Sequence, residues 1–540
     1  MKAGVAGEWS TAVLPWPVTA SGMAEPALAV GQLVARAASP GFDGWWSKVS
    51  GCGFCARPVH LVGADGAGRE RTVLARCKNR RASVCPSCSD LYAADTWQLV
   101  TAGVRGARHG MPDTVGSHPA AFVTLTAPSF GAVHGVRADA SAAARRCHPP
   151  GPVGHGDERR TAGDSSRWFR RLGYRRCVHG KPLWCSAIHD ERDDGRDVVG
   201  QPLCGQCYDY TGHVLFTWWA PELWRRFTIA VRRALRRELR RRGEHPDGVA
   251  VSFVKVVELQ ARGIPHYHAV IRLDAAPMQR DEAVAPPQTS ISAAELAVLA
   301  RAAAERVSLA VAGGDGSSRV LRFGEQMDTQ PLTVGPTPTT AGASSAEQGG
   351  VARRVAGYLA KYVTKSVAEF GLSPARISAE AIEALELRDH VRAILTTLVG
   401  LACTGGQYAP MLSWLHTLGY RGHITTKSRR FSVTMAALRA RREAWRGQHP
   451  DHIPGGLVIG EPEEWSAGPA AYADPLQMVA EWSFVRAWSS CLPWCGAVRI
   501  GRCGDCDEVQ GLPVSDRGDR ARGVAVSPFR CVPSVEGSSM

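Results

Sequence analysis

The segment GIPHYHAVIRLD, residues 263–274, sets His266 and His268 two positions apart inside an apolar run. In a β-strand, residues i and i+2 share one face, so both imidazoles point the same way and Tyr267 points the other. The preceding segment VAVSFVKVVELQ (249–260) reads as a strand, and ARGI between the two supplies a turn. A hairpin centred near Gly263 would place Glu258 across from His268 and Gln260 across from His266, all on one face. Two imidazoles and a carboxylate with open positions left over suit a hard or borderline divalent ion such as Mn²⁺ or Mg²⁺. Such an ion polarises a phosphoryl oxygen. The register decides whether Glu258 or Gln260 is the third ligand. The plain alternative is a pair of satisfied strand histidines.

A second constellation is GYLAKYVTK, residues 357–365. In a helix, Tyr358 and Tyr362 fall on one face and Lys361 and Lys365 on its edge, each pair being i and i+4. Only eight of the 64 cationic side chains are Lys, so this pair departs from the chain's habit of using Arg. An ammonium is a compact, adjustable charge, whereas a guanidinium is a rigid fork. A Tyr oxygen activated by nearby positive charge is a covalent nucleophile. Attack on a DNA phosphodiester would leave a phosphotyrosine link and a free 3′-hydroxyl. An amphipathic helix with buried aromatics and solvated lysines is the reading without chemistry.

Cysteines form the third group. Cys52-x-x-Cys55 and Cys85-x-x-Cys88 are two knuckles that together make a tetrahedral Zn²⁺ site, with Cys77 in reserve. A second cluster holds Cys177, His179, Cys185, His189, Cys204 and Cys207. Cys204-x-x-Cys207 is its best pair, and Cys177 and Cys185 are the expected partners. Cys491-x3-Cys495 with Cys503-x-x-Cys506 is a third candidate. Buried, unliganded thiols are the alternative throughout.

These groups need elements to position them. FVTLTAPSF (122–130) is a short strand, and PELWRRFTIAVRRALRRELRRRG (221–243) is a helix opened by Pro and closed by Gly. Its Arg-covered outer face would neutralise several DNA phosphates. A helix over roughly 292–311, a strand at 319–328 and a helix at 351–367 follow, separated by Pro/Gly/Ser-rich linkers at 275–290 and 329–350. RGHITTKSRRFS (421–432) mixes basic, hydroxyl and aromatic residues, which suits backbone contacts and a stacked base.

The chain of 540 residues is 44% hydrophobic and carries a net charge of +14, which supports several cored units and a polyanionic partner. No membrane span and no secretory signal are legible, so a cytoplasmic location is expected. In that reducing compartment the 16 Cys read as metal ligands rather than disulfides. No GxxxxGK[ST] occurs, so no built-in nucleotide-driven helicase is expected.

Taken in order, the strand VTLT, the hairpin E-x7-HxH and the helix YxxKYxxK resemble the HUH endonucleases, specifically rolling-circle replication initiators, over roughly residues 120–370. The whole chain resembles the initiators of actinomycete plasmids and integrative elements, the RepSA type. The matching signatures are CGFCARPV, KNRRASVCPSC, CVHGKPLWC, PLCGQCYDY, RFGEQMD and LGYRGHITTKSRRFSVT. The resemblance implies that Glu258, His266 and His268 hold the catalytic ion. In single-tyrosine relatives the nucleophile matches Tyr362 and a Glu matches position 358. Tyr358 here implies two tyrosines used alternately, with Lys361 and Lys365 assisting.

The expected fold is α+β. An HUH-like antiparallel sheet of about five strands has flanking helices, zinc-bound N-terminal and inserted modules, and a mainly helical C-terminal region. The expected divisions are a flexible 1–45, a zinc-knuckle module 46–115 and a nuclease domain 116–370 with a Cys/His insertion at about 170–210. A basic helical region 371–450 and an irregular tail 451–540 complete them. The implied partners are origin DNA, single-stranded or hairpin at the nick, with host helicase and polymerase. An HUH-type transposase and an inactive zinc-containing DNA-binding regulator are the rival functions.

Overall fold

A computed structural model of the chain describes residues 37–64, 69–135, 176–183, 185, 198–279, 282–332, 345–365, 367–373, 375–448 and 483–489. His189 and the cysteines at 491, 495, 503 and 506 lie outside these residues. Two compact units are present, Met1–Thr96 with Thr434–Ser490, and Trp97–Val433 with Cys491–Met540. No helix among the described residues is long and apolar enough to cross a membrane.

The first unit contains the helix Phe42–Gly51 and the antiparallel strands β1 (Val59–Ala64) and β2 (Glu70–Ala75). A further strand, Ser483–Ser489, pairs with the other edge of β1. The unit's buried cluster is made of Cys52, Cys55, Cys85 and Cys88, with Leu74 and Cys77 packed against it. Among the described residues the thiols thus sit at the centre of the unit's packing, and small modules centred on thiols commonly rely on a metal. The helix Met435–Gln448 adds an ion pair. Arg442 donates to both carboxylate oxygens of Asp95 at 2.9 and 2.8 Å. Burial pushes the Asp95 carboxyl up to about 6, against the pull of Arg442.

The second unit is built on a five-stranded antiparallel sheet. Its strands are β3 (Ala120–Leu125), β4 (Val249–Leu259), β5 (Pro265–Ala275), β8 (Asp328–Leu332) and β9 (Thr425–Lys427), in the order β8-β3-β5-β4-β9. The segment expected as one strand at 319–328 is divided. Ser318–Arg322 (β7) pairs with Ser308–Ala312 (β6) in a separate hairpin, and β8 joins the main sheet. β5 is central and buried along nearly its whole length. That burial takes in both faces, so His266, His268, Arg272 and Asp274, which alternate with Tyr267, Ala269, Ile271 and Leu273, are buried as well.

One face of the sheet meets the long helix Tyr210–Arg241. Trp224 stacks on Tyr267 with centroids 5.5 Å apart, and Phe227, Val231, Leu235 and Leu239 extend the same buried stripe. This helix begins eleven residues before the expected start at Pro221, which sits inside it. The Asp209 carboxylate accepts from the Gly212 backbone N–H and caps the true N-terminus. Val214, Leu215, Phe216 and Trp218 are buried, so their packing holds the extra turns. The helix Ala293–Arg306 opens with a Ser292–Glu295 capping box. On the opposite face, the helix Ser345–Val363 packs along β4.

The long-helix face buries a lysine. Lys255 donates to Tyr420 Oη at 3.3 Å and to the His423 carbonyl at 3.0 Å, with its ammonium 5.0 Å from the Tyr267 ring centroid. Burial pushes its pKa down to about 7. A folded-state pKa depressed below the unfolded value of a cation penalises folding at and below neutrality. The penalty is relieved as pH rises from about 7 towards 10.5, because only the unfolded chain holds the proton there. Lys255→Met is therefore expected to raise the unfolding temperature at pH 7, with a gain that shrinks as pH approaches 10. Thermal melts of both proteins across pH 6–10 check this, and a difference that does not vary with pH refutes it.

Candidate active site

The hairpin β4–β5 carries the metal-type donors. Its turn is tighter than the sequence pattern suggests. Gly263 N–H donates to the Gln260 carbonyl at 2.7 Å, and Gln260 N–H to the Ile264 carbonyl at 3.0 Å. Gly263 has φ +78, and a Cβ there would press on Leu418 Cδ1 at 3.0 Å. In consequence Glu258 stands opposite His266, and the residue opposite His268 is Val256. This corrects the expected pairing of Glu258 with His268 and of Gln260 with His266. The shift is two residues, which preserves the face, so the same side chains still converge.

They converge closely. The two imidazole centroids are 4.5 Å apart. Glu258 Oε2 lies 3.7 Å from His268 Nε2, and Gln260 Nε2 lies 3.4 Å from His266 Nδ1. Burial, with His268 beside it, pushes His266 down to about 3, so its ring keeps a free lone pair at neutral pH. Burial works to raise Glu258, but His268 and Lys365 outweigh it and hold the carboxyl below its usual range. Neutral imidazole and ionised carboxylate are the forms a divalent ion binds, so this donor set fits one.

β3 supplies a neighbour that sequence reasoning missed. Thr124 is paired with His268 across the sheet, and its Oγ1 is 3.3 Å from His268 Nδ1. A hydrogen bond at Nδ1 leaves Nε2 facing the site and fixes the ring's orientation. The alternation in FVTLT put Thr124 on one face of a strand, but nothing in the sequence said which strand it would adjoin.

The helix Ser345–Val363 brings both tyrosines to His268. Tyr358 meets the imidazole edge-on at 4.9 Å, with its hydroxyl 3.4 Å from Nε2. Tyr362 stacks on the same ring at 5.2 Å, and the two tyrosine rings are 4.8 Å apart. Burial and the neighbouring Tyr362 push the Tyr358 hydroxyl above its ordinary pKa. Tyr358 is nevertheless 41% exposed, which leaves room for a substrate. The helix ends at Val363, short of the expected 367, so Lys361 lies on it and Lys365 just beyond its end. Lys365 donates to Glu258 Oε1 at 2.8 Å and stands 5.1 Å from the Tyr362 centroid, while Lys361 is 5.9 Å from that centroid.

Two cysteine clusters could hold a metal such as zinc. The first gathers Cys55, Cys77, Cys85 and Cys88, with all four sulfurs within 4.8 Å of one another. Cys77 thus occupies the place expected for Cys52. The Cys52 thiol turns away to the Val49 carbonyl at 3.3 Å, because it ends the helix Phe42–Gly51 as its C-cap. Backbone N–H groups of Ala56 and Cys77 donate to the sulfurs of Cys85 and Cys55 at 3.4 and 3.2 Å. Hydrogen bonds from Cys55 and Cys77 push the thiols of Cys85 and Cys88 towards thiolate. The same contacts, with burial, push Cys55 and Cys77 the other way, and it is the four converging sulfurs, two of them accepting backbone N–H groups, that fit a tetrahedral Zn²⁺.

The second cluster gathers Cys177, His179, Cys204 and Cys207. His179 Nδ1 lies 3.2 Å from Cys207 Sγ and 3.7 Å from Cys204 Sγ. His179 therefore takes the place expected for Cys185. The tight turn Cys177–Gly180, closed by Gly180 N–H to the Cys177 carbonyl at 2.9 Å, folds the imidazole back over its own knuckle. Cys-x-His spacing was the available signal.

One expected contact does not survive. Phe431 in RGHITTKSRRFS is fully buried beneath the Arg272 guanidinium, 5.1 Å from its ring centroid, and cannot stack a base. Lys427 turns inward to the carbonyls of Arg429 and Ser432, and Arg430 donates to those of Glu282 and Ala283. Much of that segment's polarity is spent holding its own loop.

The family described as RepSA, replication initiator protein, pSAM2, matches residues 41–490. A replication initiator protein of Streptomyces ambofaciens is 33% identical over 479 residues, covering 84% of this chain and 89% of that protein. No solved structure matches.

Proposed function

The chain belongs to the RepSA family of replication initiators, and on that premise we propose that it starts rolling-circle replication by nicking one origin strand with a tyrosine, as an HUH-type endonuclease. The observation that carries this reading is the convergence of Tyr358 and Tyr362 on His268, beside His266 and Glu258. A divalent ion such as Mn²⁺ or Mg²⁺, held by His266, His268 and Glu258, would neutralise and orient the scissile phosphate. Tyr362 attacks the phosphorus through Oη and loses its proton. The bond to the 3′-oxygen breaks, that oxygen gains a proton, and the 5′ phosphate remains on the tyrosine. Tyr358 performs the second transfer at the end of the round. Lys361 and Lys365, close to the Tyr362 ring, favour its ionised form. Catalysis on this scheme is positioning plus electrostatic stabilisation. Host helicase and polymerase would supply unwinding and synthesis.

The reverse order of the tyrosines is the second reading, favoured by the Tyr358 hydroxyl lying 3.4 Å from His268 Nε2.

The test incubates purified full-length protein with Mn²⁺ and labelled single-stranded DNA from candidate origins beside the gene, resolved on denaturing gels. A covalent protein–DNA adduct is expected, lost with EDTA and reduced at least about 100-fold in His268→Ala, since a ligand and not merely its support is removed. Tight binding with neither nick nor adduct on any candidate would favour the inactive DNA-binding regulator.

A further inference from the structure

The long helix Tyr210–Arg241 is crowded with arginine, but its arginines are not equivalent. Arg225 and Arg226 are paired with Glu222, Arg236 with Asp247, and Arg241 with Glu238. Arg242, just past the helix, is shared between Glu238 and Glu295. Arg232 donates to the Thr228 carbonyl at 3.3 Å within its own helix, and Arg233, Arg237 and Arg240 remain. They are exposed, and among the described residues their side chains have no carboxylate or carbonyl partner. Their i, i+4, i+7 spacing puts them within an arc of roughly 60° on one face of the helix.

Their position is as informative as their charge. The long helix packs on the Tyr267 face of the sheet, whereas the histidines and tyrosines occupy the other. The arginine end of the helix lies beside Pro246–Gly248, where Arg236 reaches Asp247 at 2.9 Å, and that turn leads into the start of β4. Glu258 is near the far end of the same strand, roughly 30 Å away at the rise of an extended chain. The stripe is therefore remote from the site that would hold the nicked strand.

We infer that Arg233, Arg237 and Arg240 form a phosphate track for duplex DNA, separate from the nicking site; this rests on the reading of the chain as an origin-binding initiator. The track rises about 10 Å along the helix, close to three base steps of one strand along the duplex axis. Guanidinium forks take phosphate oxygens two at a time. The helix's apolar residues Val231, Ala234, Leu235 and Leu239 are buried, so the face offers a lipid surface nothing to insert. Phosphate contacts of this kind carry no sequence information. They would hold the duplex flanking the origin while the remote site acts on the exposed strand.

The test uses the full chain with Arg233, Arg237 and Arg240 all changed to Ala. A charge-matched control changes the ion-paired Arg225, Arg236 and Arg241 to Ala. Affinity for a 25-bp duplex of unrelated sequence is measured by fluorescence anisotropy across salt. Adduct formation on a short single-stranded origin oligonucleotide is measured alongside. The stripe variant is expected to lose at least about tenfold in duplex affinity at 0.1 M salt, with the log–log salt slope falling by about 2.7 for three lost phosphate contacts. The control should change less than about threefold, because its arginines are already neutralised by carboxylates. Adduct formation on the short oligonucleotide should be unchanged in both. Equal losses in the two variants would assign the effect to overall charge and overturn the track, as would an unchanged salt slope. A failure of nicking in the wild type would count against the tyrosine mechanism and leave the duplex comparison intact.

Discussion

Tyr362→Phe is expected to abolish the covalent protein–DNA adduct on origin single strands, while Tyr358→Phe still forms it but cannot complete strand transfer. Loss of the attacking oxygen should lower the rate of adduct formation by at least about 10³-fold, because a phenyl ring has no nucleophile to offer. The double variant should bind and not react. Phe preserves the packing of both rings. The stack of residue 362 on His268 at 5.2 Å and the 4.8 Å contact between the two rings are ring contacts that Phe retains, and the Tyr358 hydroxyl's approach to His268 Nε2 at 3.4 Å is what Tyr358→Phe removes. Folding and DNA affinity should therefore change little, by no more than about the 1 kcal/mol of a lost hydrogen bond, which separates loss of chemistry from loss of structure. Adducts are read on denaturing gels, and transfer is read from ligation of a second labelled strand. An adduct kept in Tyr362→Phe and lost in Tyr358→Phe would reverse the order of use. An adduct surviving in the double variant would remove both tyrosines from the mechanism.

The second large effect concerns the four-thiol cluster. Cys85→Ser, or prolonged chelation, is expected to unfold the first unit, because the buried cluster among its described residues consists mainly of the thiols themselves. Structural Zn²⁺ in small modules contributes on the order of 10–16 kcal/mol of apparent binding free energy, more than such a unit's net stability. Zinc content by elemental analysis should drop by one equivalent, and limited proteolysis should open the N-terminal region. Cys77→Ser should behave like Cys85→Ser, whereas Cys52→Ser should retain its zinc, since the Cys52 thiol faces the Val49 carbonyl instead of the other sulfurs. Zinc retained in Cys77→Ser and lost in Cys52→Ser would reassign the fourth ligand.

Local signals were legible without coordinates because they depend on spacing. HxH in a strand shares a face by parity, and YxxxY in a helix shares one by rotation. Neither fact needs a partner element, and the structure places both pairs so. The same parity explains why an error of two residues in the hairpin register did no harm to the list of converging side chains. Cysteine choice fared less well. CxxC spacing marks a knuckle but does not say which way each thiol turns. Cys52 caps a helix, and Cys77 and His179 arrive from neighbouring segments. The arginine helix shows the same limit, because sequence counts the charges and only packing shows which of them carboxylates already hold.

Beyond the five-stranded antiparallel sheet, which is expected from the family resemblance, the residue pattern determined the two-histidine strand, the two-tyrosine helix and the existence of two cysteine clusters. All of these are local periodicities of polarity and residue type, and a chain of this length can bury the faces they define. Tertiary structure alone decided that the tyrosine helix lies on the histidine face of the sheet, that Thr124 orients His268, and that Phe431 is buried under Arg272. Those are contacts between residues 90 or more positions apart. Nothing in a local pattern encodes which distant element will cover a given face. That choice belongs to the packing of the whole unit.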